Sequence, residues 1–411
     1  MLATYRDVFA LKNFRRFWIG ASLSMFGDSM TRMAFIWFVY DQTKSAAALG
    51  ILMICYTGPV VIGGLVAGWA LDRFDRRSVM IVDCLVRGCA IALVPLLHWL
   101  GILALWHVYA AAAVYGLLMM VSLAGIPAMI PSLVSEMQLN TANALEILSY
   151  TVSGIAGPAL AGLLIAAVGA PATVLVDVAS YFLFALALAG MRLRRRPESA
   201  SMQSRPQGLM AAAKLLIGNP VLCSITVMFI VFNLGMGALN VWLPIYVKSE
   251  LGGGPALYGL LLAASALGES ASALGLGALG GNRGLGLKII AAQTLAGLSI
   301  ALIALVPGLA SAAIGLFLVG FFDSPLTNWA QTLRMAIIPP ELRGRVFALI
   351  RLSIQGFGPV GSALAGFLLP VLGMTATIML SAAAIGLPGL AGALVGPLRS
   401  AHGPAASGIP V

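Results

Sequence analysis

An all-α membrane protein of twelve transmembrane helices, paired as two pseudo-symmetric six-helix bundles, is the fold this sequence predicts. Three observations carry that prediction. The 411 residues are 60% hydrophobic and only 9% charged, with a mean hydropathy of +0.99. Soluble domains carry roughly 25% charge, so most of this surface must face lipid. The apolar residues fall into runs of about the 20 residues that a helix needs to cross a bilayer, and the cations are sorted to one side of those runs.

The runs lie at about 15–40, 47–71, 78–98, 104–134, 140–168, 171–190, 219–247, 256–279, 286–306, 310–336, 343–370 and 373–396. Their length and the charge asymmetry favour helices over a β-barrel, whose strands would be about 10 residues of alternating polarity. Residues 191–218 are basic, rich in Ser and Pro and poor in apolar residues, and read as a linker. It divides an N-terminal bundle (1–190) from a C-terminal bundle (219–398) and a tail (399–411). A half-length repeat supports the division. Ala70-Leu71-Asp72-Arg73 recurs as Gly280-Gly281-Asn282-Arg283, and Gly157-Pro158 of span 5 recurs as Gly358-Pro359 of span 11.

With both termini inside, nineteen of the 24 cations fall in cytoplasmic segments, Arg334 among them. Lys44 and Lys248 fall outside, and Arg32, Arg87 and Arg351 lie within spans. Such sorting is the positive-inside rule. The net charge of +10 therefore reads as an orientation signal and a contact with anionic lipid, with no nucleic acid implied. The N-terminus has no cleavable-signal pattern. Cys55, Cys84, Cys89 and Cys223 lie in spans without metal-ligand spacing and are expected as free buried thiols. His98 and His107 read as interfacial residues. No zinc-spaced His cluster, Gly-x-Ser-x-Gly or P-loop occurs, so no enzyme activity, metal, cofactor or ATP drive is expected.

Five charges are packed into the short connection Gly68-Trp69-Ala70-Leu71-Asp72-Arg73-Phe74-Asp75-Arg76-Arg77. The pattern resembles the signature loop between helices 2 and 3 of the major facilitator superfamily. Thr43-Lys44-Ser45-Ala46, Asp83, Gln138-Leu139-Asn140-Thr141-Ala142-Asn143-Ala144, Gly157-Pro158-Ala159-Leu160-Ala161-Gly162, Pro339-Pro340-Glu341-Leu342-Arg343-Gly344-Arg345-Val346-Phe347 and Gly358-Pro359-Val360-Gly361 follow in the order of one branch. That branch is the twelve-helix drug:proton antiporters, which include macrolide efflux proteins and the enterobactin exporter. Two departures stand out: Asn282 replaces an Asp in the second copy of the loop, and span 4 carries no Arg.

The resemblance implies roles for particular residues. Gly68, Asp72, Arg73, Arg76 and Arg77 would form a conformational latch, Asp72 facing the start of span 11; the alternative is a loop that only fixes orientation. Gly157, Pro158, Gly358 and Pro359 would form hinges in spans 5 and 11, or simply small-residue packing.

Six carboxylates lie inside spans: Asp28, Asp83, Glu146, Asp177, Glu269 and Asp323. Asp28 with Arg32, and Asp83 with Arg87, are four residues apart and can pair along one helix face. Asp83 and Asp177, nearer the ends of peripheral spans 3 and 6, read as structural. Unpaired acids in a membrane take up a proton readily, as a proton carrier requires. Asp323, Asp28, Glu269 and Glu146 are the coupling candidates. Arg32, Tyr115, Met119, Asn233, Asn240, Thr327 and Gln331 are candidates to line a substrate cavity, with Phe229, Phe232 and Trp242 adding apolar surface. Interhelical hydrogen bonding is the alternative for the polar stripes, and packing for the Met and aromatic ones.

The expected activity is secondary active transport: proton-coupled efflux of hydrophobic or amphipathic small molecules by alternating access, by a monomer in the cell (inner) membrane. A dedicated exporter of one metabolite, such as a siderophore, is the alternative within transport. A membrane sensor or scaffold is the alternative outside it.

Overall fold

The structure is a computed structural model that describes residues 2–191, 207–276 and 284–403. The described residues are helical throughout, without a strand. In order the helices are α1 (Leu2–Ala10), α2 (Lys12–Thr43), α3 (Ala46–Thr57), α4 (Pro59–Arg73), α5 (Arg76–Trp99), α6 (Leu105–Leu133), α7 (Leu139–Val168), α8 (Ala170–Ala189), α9 (Gln207–Gly218), α10 (Pro220–Ser249), α11 (Pro255–Leu276), α12 (Leu285–Leu305), α13 (Leu309–Ile337), α14 (Arg343–Ala393) and α15 (Gly396–Arg399).

Ten segments of the described residues are long and apolar enough to cross a membrane. α3 and α4 together make one of them; Pro59, which has no N–H to continue the ladder, starts a new helix after Gly58. The 51-residue α14 holds two expected spans, parted at Gly373, whose φ of 80° is natural to glycine alone. α2 is long enough as well, but Asp28 and Arg32 in its middle make it less apolar. Outward-facing Leu65, Leu93, Leu186, Leu274 and Val371 form the surface a lipid solvent requires.

Local chemistry sets several helix starts. Ser45 accepts from Ala48 N at 3.3 Å at the head of α3, and Asn219 accepts from Val221 N and Leu222 N at 3.0 Å at the head of α10. His107 Nδ1 accepts from Ala104 N at 3.0 Å at the start of α6.

The chain forms two compact units: Met1–Ser201 with Gly253–Ala263, and Met202–Gly252 with Ala264–Val411. In unit 1, α2 packs on α7 and α8, α5 on α6 and α8, and α4 on α6. In unit 2, α14 packs on α10 and α12, and α12 on α13. One part of the linker expectation is corrected. Residues 207–218 form α9, docked on unit 2, because Ala212, Leu215 and Leu216 make an apolar stripe against Leu222, Ile338, Val346 and Ile350. Residues 192–206 of that linker, and the Asn282 repeat, lie outside the described residues.

Candidate functional site

The centre of unit 1 is a polar cluster contributed by α2, α5, α6 and α8. Arg87, fully buried on α5, donates from Nε to Asp83 Oδ1 at 3.0 Å and from Nη2 to Asp83 Oδ2 at 2.5 Å. Ser122 of α6 donates to Asp83 Oδ2 at 2.8 Å and accepts from Arg87 Nη2. The arginine also lies 4.6 Å from the Tyr181 ring centroid and 5.4 Å from that of Tyr115, contacts between a cation and an aromatic face. Asp28 of α2 completes the group. Tyr181 donates to its Oδ1 at 2.5 Å, and Arg87 Nη1 stands 3.8 Å from its Oδ2.

Asp177 is buried nearby on α8, where Ser180 donates to its Oδ1 at 3.0 Å, and it packs against α2 at Gly27, next to Asp28. The interior of unit 1 thus holds Asp28 and Asp83 on one buried guanidinium, with Asp177 close by on the neighbouring helix. Asp28 differs from the other two acids in having 25% of its side chain exposed.

Of the sequence candidates, then, Asp28 and Tyr115 are brought together in one cluster. Tyr115 is buried against Tyr56, with ring centroids 4.8 Å apart, so it packs inside unit 1. The i,i+4 pairing of Asp83 with Arg87 is present. The cation the sequence assigned to Asp28 was Arg32, one turn along, whereas its ion pair here reaches Arg87 on a neighbouring helix; Arg32 is exposed. Asp83 and Asp177, read from sequence as structural, are both buried inside unit 1, because α5 and α8 pack inward there. Met119 is half-buried on α6, and Glu146 lies on α7 beside Trp18, Ser22, Met25 and Ser149.

The signature loop ties helix ends together within unit 1. Asp75 caps α5, accepting from Ser78 N at 3.0 Å. Arg76 donates to Ala128 O at 3.2 Å, in the turn of α6 that Pro131 weakens. Arg77 donates to Ala189 O at 2.5 Å at the C-terminal end of α8, where the helix dipole favours a cation. Arg73 lies 5.9 Å from the Trp69 ring centroid. Asp72 and Gly68 are exposed, and nothing approaches the Gly68 Cβ position within 4 Å.

In unit 2 the half-buried Asp323 of α13 accepts from Thr327 Oγ1 at 3.4 Å, while Thr327 and Gln331 are exposed on the same face. Glu269 is exposed on α11, whose Gly268 packs on the α13 backbone at Phe317, as Gly320 of α13 packs on Ser265. Bare backbone at these two glycines lets the helices close up, which holds Glu269 near Asp323. Asn233 and Asn240 of α10 donate back along their own helix, to Phe229 O at 2.9 Å and Met236 O at 3.2 Å.

The three span-7 aromatics are buried inside unit 2, Trp242 donating to Ser381 Oγ at 3.1 Å. Arg334, counted as a loop cation from sequence, is buried in the last turns of α13. Cys89 is exposed, unlike the buried thiol expected, since its side of α5 faces outward.

At the hinges, Gly157 of α7 faces Ser29 of α2, and the Pro158 carbonyl faces Gly259 within unit 1. In unit 2 the Gly358 carbonyl faces Gly237, Pro359 is buried, and Ser362 donates to Gly237 O at 2.7 Å.

Two helical units with many lipid-facing spans, one of them burying a charged cluster, mark a multi-pass membrane protein. The chain belongs to the transmembrane secretion effector family of the major facilitator superfamily, whose profile matches residues 6–403. It is 26% identical to the multidrug efflux pump Tap of Mycolicibacterium fortuitum, over 86% of this chain and 88% of that one. It is 24% identical to macrolide efflux protein A of Streptococcus pyogenes, over 90% of this chain and 92% of that one. Among solved structures, a bacterial homologue of the iron transporter ferroportin in an inward-facing state superposes with a TM-score of 0.71 at 17% identity, covering 93% of this chain and 98% of that one. A POT family transporter gives 0.74 at 12% identity, covering 96% and 97%. At such identities the structural likenesses show the fold alone.

Proposed function

We propose that this protein exports hydrophobic or amphipathic small molecules in exchange for protons, working as a monomer in the cell inner membrane with both termini and the 191–218 linker in the cytoplasm. Full-length similarity to pumps named for multidrug and macrolide efflux supports the export reading. The sorting of nineteen cations against two supports the orientation and a contact of the basic ends with anionic lipid.

The observation that supports the exchange is the surplus of carboxylates over guanidinium at the buried centre of unit 1, with Asp28 a quarter exposed at its edge. Three ionised acids around one cation would leave uncompensated charge in a medium that penalises it heavily. A proton or a cationic substrate relieves that penalty. Asp323 of unit 2 is the first candidate to carry the proton and Asp28, better suited to a cationic substrate, the second, with Glu269 and Glu146 next. In this reading Asp72 latches one of the two states, while Arg73, Arg76 and Arg77 hold the loop that presents it.

The test uses liposomes containing this protein alone, with a pH-sensitive dye trapped inside and ethidium as the transported probe. Ethidium movement should acidify the compartment it leaves, and an imposed acid-side gradient should drive ethidium toward that side. Ethidium flux without proton flux would sink the coupling, and no flux of either would sink the export reading.

A further inference from the structure

Arg334 is a buried cation with no anion beside it among the described residues. It is 5% exposed, its guanidinium lies 4.6 Å from the Phe229 ring centroid, and neither Nε nor Nη2 has a hydrogen-bond partner among the described residues. Those two nitrogens form one edge of the guanidinium. Their N–H bonds run parallel, spaced to meet two oxygens of a single carboxylate or phosphate. Unit 1 shows the same edge in use, where Arg87 gives Nε and Nη2 to the two oxygens of Asp83.

The acids of unit 2 are poorly placed to do this for Arg334. Asp323 lies eleven residues earlier on α13, which is about 16 Å along the axis at 1.5 Å per residue, and Glu269 sits beside it. Glu341 is exposed, and Glu250 ends α10 at the far side of the bundle. The Phe229 face and the C-terminal dipole of α13 offset part of the charge. Neither offers an oxygen to the two N–H groups, and a buried charge deprived of its partner is strongly destabilising.

We propose that the Nε–Nη2 edge of Arg334 binds one oxyanion, a carboxylate or a phosphate, one turn from the end of α13. The inference is independent of proton coupling. The same chemistry could come from an anionic phospholipid headgroup or from an acidic soluble molecule, and two arms of one experiment separate them.

The full chain is reconstituted in phosphatidylcholine nanodiscs and its unfolding midpoint recorded. One arm replaces part of the lipid with phosphatidylglycerol; the other adds benzoate, with neutral benzamide as its control. One anionic probe should raise the midpoint, because a ligand of the folded state stabilises it, and the neutral counterparts should not. Arg334→Gln should abolish the rise. Arg334→Lys, which keeps the charge but loses the fork, should weaken apparent affinity about tenfold or more. Should the Gln variant fail to fold, Arg334→Met keeps the aliphatic stem against Phe229 and serves in its place. No rise with either probe, or the same rise in the Met variant, would overturn the proposal. So would a rise that appears only in Glu198→Gln, since Glu198, the chain's one acidic side chain outside the described residues, would then be the arginine's own partner.

Discussion

Arg87 grips both carboxylate oxygens of Asp83, at 3.0 and 2.5 Å, with the fork of its guanidinium. What remains for Asp28 is Nη1 at 3.8 Å, close enough to attract and too far to hydrogen-bond. One acid is therefore clamped by the guanidinium, while the other is held loosely by it and accepts instead from the Tyr181 hydroxyl, with a quarter of its side chain exposed. That asymmetry assigns the clamp to the architecture and leaves Asp28 able to change partners.

Breaking the clamp on one side should be costly. Asp83→Asn or Arg87→Gln strands a buried charge, and each should lower stability by about 3–5 kcal/mol. The double variant should cost less than the sum, since the two residues share one interaction. Thermal unfolding of the purified protein in detergent measures this; single losses no larger than those of surface substitutions would refute the clamp.

The loosely held acid and the unit 2 acid should behave differently. Asp323→Asn mimics a permanently protonated carrier, so it should abolish uphill efflux while sparing energy-independent exchange. In the wild type a neutral carrier is loaded on the acid side, so efflux should fall as pH on that side is raised. Asp28→Asn should instead weaken binding, most for cationic substrates. Uphill efflux by Asp323→Asn with an unchanged pH profile would transfer the role to Glu269 or Glu146.

Latch and tether can be separated. Arg77→Ala removes the donor at the C-terminal carbonyls of α8 and should cost about 0.3–1 kcal/mol of stability. Asp72→Asn alters an exposed carboxylate and should leave the unfolding midpoint unchanged while lowering efflux several-fold. Equal efflux from both would reduce Asp72 to an orientation signal.

Helix packing gives a contrast between two glycines. A Cβ at Gly320 would press into the Ser265 carbonyl, so Gly320→Val should destabilise by about 1–3 kcal/mol or abolish folding. No atom lies within 4 Å of the Cβ position of Gly358. Gly358→Ala should therefore keep full stability, and a transport defect in that variant would be evidence for the hinge at Gly358-Pro359. Size-exclusion profiles and efflux rates read both effects.

Orientation is tested by cysteines placed at Ser201 and Glu250 in a variant lacking the four native thiols. An impermeant reagent applied to intact cells should label position 250 and spare position 201. The reverse pattern would invert the protein.

Much of the fold was legible in the sequence because each span satisfies its own backbone hydrogen bonds, a local requirement that apolar run length records. α9 was missed because its stripe of Ala212, Leu215 and Leu216 is short and set in a basic, Ser/Pro-rich stretch. The site was legible as residue types only. Asp83 and Arg87 could be paired because four residues is one helical turn; the same rule lets Asp28 pair with Arg32 but could not show that Asp28 also meets Arg87 of α5. The equal spacing says nothing about which face of α2 turns toward α5. A mid-span Tyr on a helix adjoining two charged ones was the one available signal for Tyr181.

By itself, then, the sequence determined the spans, the sorting of cations and the motif order that marks the superfamily, since each depends on lipid, local hydrogen bonding or chain order. Tertiary structure alone decided that Arg87 reaches Asp28, that Trp242 packs inward and that Arg334 is buried with two N–H groups unpartnered among the described residues. Those outcomes depend on how each helix is rotated about its axis and how closely its neighbours approach. Both are fixed by packing between segments distant in the chain, which no spacing within one helix encodes.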